Sequence, residues 1–272
     1  MQDLNRGIVV YKIKYPYGDN LKRIQTSVIA FLFILFIPAC DRKNFSLKGE
    51  FVKGRYAGNV FEDANVRNLA VAAAGGDVFT VYDLVTNQKV DVNSKGHDGI
   101  TPLLWAFLAR NKDGYRELLK NGANPDLEAK EIFSVTGLAL NYIEDTEYFR
   151  LALEYGANPD HFNKRVGLPI LMEACMEKFQ KEQLKWIVDA GANINIRGVQ
   201  GNTPVMFCAD MRRYDMVVYL IEKKANTGAV DDEGLSLADK IKNNPVDPEV
   251  DPIQYKNREK VMELILQQNS VN

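Results

Sequence analysis

Apolar residues fall in short blocks separated by polar turns along most of this chain. Two such blocks occupy residues 103–108 and 115–119, with only polar or small residues between them. This pattern predicts a unit made of a helix, a turn, a second helix and a hairpin loop. Similar pairs of blocks recur downstream, so the same unit is expected several times.

A short phrase follows the second block of each unit at a regular interval. It reads Gly-Ala-Asn-Pro-Asp at residues 122–126 and 156–160, and Gly-Ala-Asn-Ile-Asn at residues 191–195. The starts of these three copies are 34 and 35 residues apart, and weaker copies lie at residues 90–93 and 224–226. A fixed period of this size predicts an array of helical repeats.

A second motif lies about 21 residues upstream of the first. It reads Gly-Ile-Thr-Pro-Leu at residues 99–103 and Gly-Asn-Thr-Pro-Val at residues 201–205. Each proline suits the first turn of a helix, and the threonine before it, Thr101 or Thr203, can accept a backbone hydrogen bond there. In the third unit, Ser134 is expected to take the place of the glycine. The glycines of the first motif are expected to end the second helix in a left-handed conformation.

The linked motifs, Thr-Pro-Leu followed by Gly-Ala-Asn, resemble those of the ankyrin repeat family over residues 63–272. The resemblance implies an all-α repeat solenoid of about six ankyrin repeats with short hairpin loops. The expected repeats are residues 63–95, 96–128, 129–163, 164–197, 198–230 and a sixth that begins at Asp231. Three prolines interrupt the sixth repeat, and residues 255–268 are expected to form a capping helix.

The first 39 residues are expected to be a signal peptide. Residues 27–39 form an uncharged apolar block after two basic residues, and the block is short for a membrane span of about 20 residues. It ends in Ile-Pro-Ala-Cys, which resembles the lipobox of bacterial lipoproteins. The resemblance implies palmitate or another lipid on Cys40, and Asp41 resembles the inner-membrane retention signal. Residues 40–62 are then the lipidated cysteine and a flexible tether; an uncleaved signal anchor is the alternative.

The charge pattern gives no reason to expect a nucleic-acid partner. The chain has 34 basic and 36 acidic residues, and the first 39 residues are themselves net basic. The array is therefore mildly acidic, whereas proteins that bind nucleic acids present basic surfaces to the phosphate groups.

Side chains that carry out catalysis or bind metals are sparse. The two histidines, His97 and His161, fall in different predicted loops, and no metal-ligand spacing, serine elbow or Cys-His pattern is present. No catalytic residue, metal or cofactor is predicted, and the protein is expected not to be an enzyme. Trp105 is expected to pack in the core. Cys175 and Cys208 are expected to be buried and reduced, with a bridge between them as the alternative.

The predicted partner site follows from the resemblance, because hairpin tips and the exposed side of the first helix form the concave binding surface of ankyrin proteins. Apolar side chains occupy several of these positions, bordered by polar ones, and Phe133 is the expected hot spot. The alternative is that the apolar members pack against one another along the row of hairpins. The predicted site consists of His97, Asp98, Ile100, Ile132, Phe133, Val135, Arg165, Val166, Leu168, Val199 and Gln200.

The combined resemblances imply a protein-binding module held on the periplasmic side of a bacterial membrane by a lipid anchor. The expected role is that of an immunity protein, which would occlude a secreted toxin such as a phospholipase-like effector of type VI secretion. Tethering would raise the local concentration of the module. An envelope scaffold that supports a periplasmic enzyme is the alternative, and an effector secreted into host cells is a weaker one.

Overall fold

The computed structural model describes residues 57–130 and 133–271, with side chains described as far as Gln267. The predicted signal peptide, Cys40, Asp41 and Ile132 lie outside the described residues. A π-helical stretch, Asp83–Asn87, continues the helix Val78–Tyr82, and 3-10 turns lie at His97–Gly99 and Val199–Gly201. The helices α1 to α13 occupy, in order, Ala57–Val60, Ala64–Gly75, Val78–Tyr82, Pro102–Leu108, Lys112–Lys120, Val135–Leu140, Glu147–Glu154, Ile170–Glu173, Lys181–Asp189, Pro204–Asp210, Tyr214–Glu222, Leu237–Asn243 and Pro252–Val271.

The helices from α2 onward are arranged in pairs, and the pairs stack in series. In the layer of first helices, α2 packs on α4, α8 on α10, and α10 on α12. In the layer of second helices, contacts run from α3 through α5, α7, α9 and α11 to α13. A strip of buried side chains, among them Leu103, Leu118, Leu184 and Leu220, fills the space between the layers. The repeat solenoid predicted from the motif spacing is confirmed.

The helix starts follow the predicted motif in most repeats. Thr101 caps α4, because its hydroxyl oxygen accepts the Leu104 N–H at 3.2 Å, and Pro102 is the first helical residue. Ser134 caps α6 in the same way through the Gly137 N–H at 3.1 Å, so it occupies the threonine position and not the glycine position expected from the sequence. Thr203 precedes α10 but makes no cap hydrogen bond, and the expectation that it would is wrong.

The turns after the second helices form a ladder between repeats. The predicted left-handed glycines are confirmed at Gly122, Gly156 and Gly191, with φ of 88°, 96° and 94°. In four successive turns, an Asn or Asp side chain accepts a backbone N–H from the same turn of the next repeat. The four donor and acceptor pairs are Asn124 to Asn93, Asn158 to Asp126, Asn193 to Asp160 and Asn226 to Asn195, at 2.7 to 2.8 Å.

The ordered array begins before the predicted boundary at residue 63. Ala57 and Val60 of α1 are 0% and 1% exposed, and Phe61 is 1% exposed with its ring 5.9 Å from that of Trp105 in an edge-on arrangement. Trp105 is itself buried, as predicted. Residues 57–61, which the predicted tether included, therefore pack onto the array, because they cover the side of α2 and Trp105.

Cys175 and Cys208 form a disulfide, so the expectation that they are reduced is wrong, although both are fully buried as predicted. They lie 33 residues apart, which is close to one repeat. Stacking brings their Cα atoms to 5.0 Å, within the range that a disulfide bridges without backbone movement. The low number of cysteines in the chain argued against a disulfide framework, but the spacing of these two was the signal that mattered.

Candidate functional site

The hairpins between repeats form a row that we call fingers, numbered by the repeat that each one precedes. A backbone hydrogen bond closes each of four fingers, and the strands β1 (Phe162–Asn163) and β2 (Leu168–Pro169) form the remaining one. The fingers are residues 96–100 (finger 2), 129–133 (finger 3), 163–168 (finger 4), 198–202 (finger 5) and 231–235 (finger 6).

Neighbouring fingers are joined through their tips at two places. The Lys130 N–H donates to the Asp98 carbonyl at 2.9 Å, and the Asp232 N–H donates to the Gln200 carbonyl at 3.0 Å. Asp98 and Gln200 both have positive φ, 60° and 58°, a conformation that non-glycine residues adopt at some cost. Two of the predicted site residues thus hold their fingers in register through the backbone.

Three of the predicted site residues are not accessible. Ile100 and Val135 are each 1% exposed and Leu168 is 8% exposed, so their predicted place on an apolar binding surface is wrong. Ile100 and Leu168 end their fingers just before the helix cap, where the side chain points into the core. Val135 is the first residue of α6, the position that proline holds in α4.

The other described members of the predicted site do reach the surface. Val199 is 51% exposed, Gln200 is exposed, and the side chain of His97 is 76% exposed. Asp98, Phe133, Arg165 and Val166 are half-buried.

Two accessible apolar residues on the finger row were missed by the sequence analysis. Phe162 is 47% exposed and Val230 is 45% exposed, and both stand immediately before the paired residue of their finger. The equivalent positions in the other repeats carry Lys95, Glu128 and Arg197. An apolar residue at a position that is otherwise charged was the signal that could have found them.

Finger 4 differs from its neighbours because its loop, residues 164–167, is one residue longer than those of fingers 2 and 5. The Arg165 guanidinium carbon lies 6.0 Å from the centre of the Phe133 ring, within the range of a cation–π contact. Lys164 also reaches back to finger 3, with its Nζ 2.7 Å from the Glu128 carboxylate. These side chains hold the tip of finger 4 against finger 3 and the residue before it.

A polar cluster links the bases of fingers 3 and 4. His161 Nε2 lies 2.7 Å from the Ser134 Oγ, and His161 Nδ1 lies 3.5 Å from an Asp126 carboxylate oxygen. Burial lowers the pKa of His161, partly opposed by the negative charges of Asp126 and Glu128. Ser134 is 4% exposed and its oxygen caps α6, so this oxygen is not presented to a substrate. The cluster is a clamp between two repeats.

A buried carboxylate supports the base of finger 4 from below. Glu173 is 0% exposed, and its two oxygens accept from the side-chain amides of Asn163 at 2.8 Å and Asn141 at 2.6 Å. Burial raises the pKa of Glu173, since removal from water disfavours the charged form. Through these bonds α8 fixes both finger 4 and the end of α6.

Within the part of the chain that the structure describes, no group of three or more His, Cys, Asp or Glu side chains could hold a metal ion. Over the same residues, no helix combines the length and apolar character that crossing a membrane requires.

The stacked helix pairs with a row of fingers define a helical solenoid of the kind that binds other proteins. Residues 137–231 match the family model for ankyrin repeats in three copies. The fold of the described residues is the ankyrin repeat fold.

Known proteins with this fold include bacterial and viral examples. A crystal structure of an ankyrin repeat domain from Acinetobacter baumannii AYE aligns with a TM-score of 0.56 at 22% identity, covering 73% of this chain and 96% of that one. A chain in the complex of a predatory endopeptidase from Bdellovibrio bacteriovorus with an immunity protein aligns with a TM-score of 0.49 at 23% identity, covering 71% and 97%. An ankyrin repeat protein of Acanthamoeba polyphaga mimivirus is 25% identical over 166 residues, which is 58% of this chain but only 40% of that protein.

Proposed function

We propose that this protein is a periplasmic, membrane-tethered ankyrin module that neutralises a secreted toxin by binding to it through the fingers and covering its active site. The observation that carries the proposal is the set of accessible apolar side chains on fingers 4 to 6. These are Phe162, Val199 and Val230, each about half exposed at 47%, 51% and 45%. Apolar side chains that stay accessible on a rigid scaffold favour a protein partner.

The rigidity of the fingers supports a binding role. Asp98 and Gln200 tie fingers 2 to 3 and 5 to 6 through the backbone, while His161 clamps finger 4 to the repeat before it. A surface that is already ordered loses little conformational entropy on binding, so more of the contact energy appears as affinity.

The proposed compartment is the periplasm. The Cys175–Cys208 bond supports this location, because disulfides persist in oxidising compartments and are rare where glutathione and thioredoxin keep thiols reduced. The lipobox-like sequence that ends at Cys40 supports a lipid anchor at the same face of the membrane. The choice of a toxin as the partner, and of a type VI secretion effector with phospholipase-like activity in particular, rests on the resemblance to ankyrin immunity lipoproteins.

The experiment expresses the product of the neighbouring gene in the periplasm, with and without this protein. Relief of toxicity and co-purification of the two proteins are expected. Failure of the wild-type protein to relieve that toxicity rejects the immunity role, and a growth defect on deletion without any toxin favours the envelope scaffold.

A matched pair of variants locates the binding surface. Phe162→Asp with Val199→Asp is expected to weaken binding by at least about 30-fold, the effect of losing a hot spot of about 2 kcal/mol. Phe79→Asp is the control, because Phe79 is 78% exposed on α3 and belongs to no finger. If the wild type, the double variant and the Phe79→Asp control protect equally well against the toxin, the fingers are not the binding surface.

Metabolic labelling with a palmitate analogue tests the anchor. Label is expected on the wild-type protein and is expected to be lost in Cys40→Ser. An unlabelled wild type, or unchanged label on the variant, contradicts lipidation at this cysteine.

A further inference from the structure

The disulfide joins the inner helices of two adjacent repeats. Cys175 lies two residues after the end of α8 at Glu173, and Cys208 lies within α10. Among the described residues, this is the covalent link between side chains of different repeats; the other repeat boundaries rely on packing, hydrogen bonds and ion pairs. Because each repeat of a solenoid contacts only its neighbours, one such link changes the coupling at a single boundary.

The bond lies at one boundary of the repeat whose inner helix is short. The inner helix of the fourth repeat, α8, has four residues, whereas α4 and α10 each have seven. A shorter helix buries fewer side chains against its neighbours and forms fewer internal hydrogen bonds. A covalent connection from the end of α8 to α10 compensates for that short contact.

The surroundings of the bond accommodate both redox states. Both cysteines are fully buried beside Met172, Ala174 and Ala209. The Cys175 sulfur lies 3.6 Å from the Leu171 carbonyl and 3.8 Å from the Pro204 carbonyl. After reduction, either carbonyl can accept the weak hydrogen bond of the Cys175 S–H group, so this thiol fits the same packing without an unpaired donor.

We propose that the Cys175–Cys208 disulfide is a redox-controlled staple between the fourth and fifth repeats. In the oxidised protein it makes the two repeats open together; after reduction the fold persists, but the two repeats open separately and more often. The proposal concerns the array itself and does not depend on the identity of any partner.

The chemistry needs a thiol reductant. A thiolate of a dithiol attacks one sulfur of the cystine and displaces the other as a thiolate, giving a mixed disulfide. The second thiol of the reductant then attacks that mixed disulfide. Two electrons pass to the cystine, two cysteine thiols form after protonation, and the reductant ends as a cyclic disulfide. Because both sulfurs are buried, the first attack requires local opening of the repeats.

The test uses the full-length protein in three forms: oxidised wild type, wild type reduced with dithiothreitol, and Cys175→Ala with Cys208→Ala. Alkylation under denaturing conditions first establishes the redox state, and both cysteines of the untreated protein are expected to resist labelling until reductant is added. Thermal unfolding then compares the forms. Reduction is expected to lower Tm by about 5 to 10 °C while the helical circular dichroism at 25 °C is retained.

Hydrogen exchange locates the effect. Reduction is expected to speed amide exchange about tenfold or more in α8 and α10 and to leave α4 and α5 unchanged. The double-alanine variant controls for reductant effects elsewhere, because dithiothreitol should change neither its Tm nor its exchange. Labelling of both cysteines without reductant, equal Tm in both redox states, or loss of the whole fold on reduction would each overturn the proposal.

Discussion

The imidazole of His161, next to finger 4, and the hydroxyl of Ser134, at the start of α6, lie 2.7 Å apart. The neutral ring can accept the hydroxyl proton at Nε2 while its Nδ1–H faces Asp126, and the serine oxygen remains available to cap α6. One contact therefore serves helix α6, finger 4 and the turn that contains Asp126. Its consequences can be measured in the stability of the array.

Stability is expected to fall as the solution becomes acidic, in part through His161. Burial holds the pKa of the folded His161 below its ordinary value of about 6.5, so the unfolded chain binds the proton more readily. The stability that neutral His161 contributes to the folded protein is fully present above pH 6.5. It is lost as the pH falls through 6.5 toward the pKa of the folded protein. Urea unfolding at pH 7.5, 6.5 and 5.5 gives the free energy of unfolding at each pH. The slope of this free energy against pH should be smaller in His161→Phe than in the wild type. His97→Phe, at an exposed loop position, should keep the wild-type slope, and an equal slope in all three proteins would contradict the role of His161.

Asp126 is expected to stabilise the protein more than Asn195, another acceptor of the turn ladder. It receives the Asn158 N–H at 2.7 Å and the Thr136 hydroxyl at 2.5 Å, and it faces His161. Asp126→Ala should reduce the free energy of unfolding by about 2 to 3 kcal/mol, since hydrogen bonds to a charged group are the stronger kind. Asn195→Ala removes a single acceptor, that of the Asn226 N–H, and should cost about 1 kcal/mol. Equal losses for the two variants in urea unfolding would show that the additional partners of Asp126 add nothing.

Gly114→Ala is expected to destabilise the protein although alanine favours helices. Gly114 lies inside α5, where helix propensity alone predicts a gain of about 0.5 to 1 kcal/mol. A Cβ atom built at this position would overlap the Ala73 carbonyl oxygen of the preceding repeat, so the backbone of one repeat would have to move. A loss of about 1 to 3 kcal/mol or more is expected from this overpacking. Gly75→Ala, which has open space around its Cβ position in α2, should be neutral or stabilising; a gain for Gly114→Ala would mean that the repeats do not pack this closely.

Phe61→Ala tests whether the chain before the first predicted repeat belongs to the folded array. Phe61 is 1% exposed against Trp105, and truncation of such a ring costs about 3 to 5 kcal/mol. Phe79→Ala makes the same chemical change at a side chain that is 78% exposed, and its effect should stay within about 0.5 kcal/mol. Thermal unfolding of the two variants compares them directly, and equal Tm values would place Phe61 in the tether.

The repeat architecture could be predicted because its signals are local. The position of Pro102 in the first turn, the capping hydroxyl of Thr101 and the left-handed φ of Gly122 each depend on a few neighbouring residues. Recurrence at a fixed period then made the array identifiable without knowledge of any contact between repeats. The helix interrupted by prolines also follows from local sterics, and Pro252 begins α13.

The binding surface could be predicted only in part, because the finger row was read as one continuous apolar face. Ile100 and Leu168 occupy the last position of their fingers and turn into the core, whereas Phe162 and Val230 occupy the position before the finger and turn outward. A shift of a few residues along a hairpin reverses the direction of a side chain, and the amino-acid type is the same in both cases. Val199 was assigned correctly to the surface because it lies at a tip.

The sequence alone determines that this protein is a stack of helix pairs. It also determines the capping residues at helix N-termini, the left-handed glycines that end the second helices, and the regular repeat length. The tertiary structure decides which partners those repeats bring together. Cys175 meets Cys208, Asp126 meets His161, and Gly114 meets the Ala73 carbonyl, each from a repeat adjacent to its own. These contacts depend on the offset between neighbouring repeats to within one residue, and that offset arises from packing over the whole boundary, which no local motif encodes.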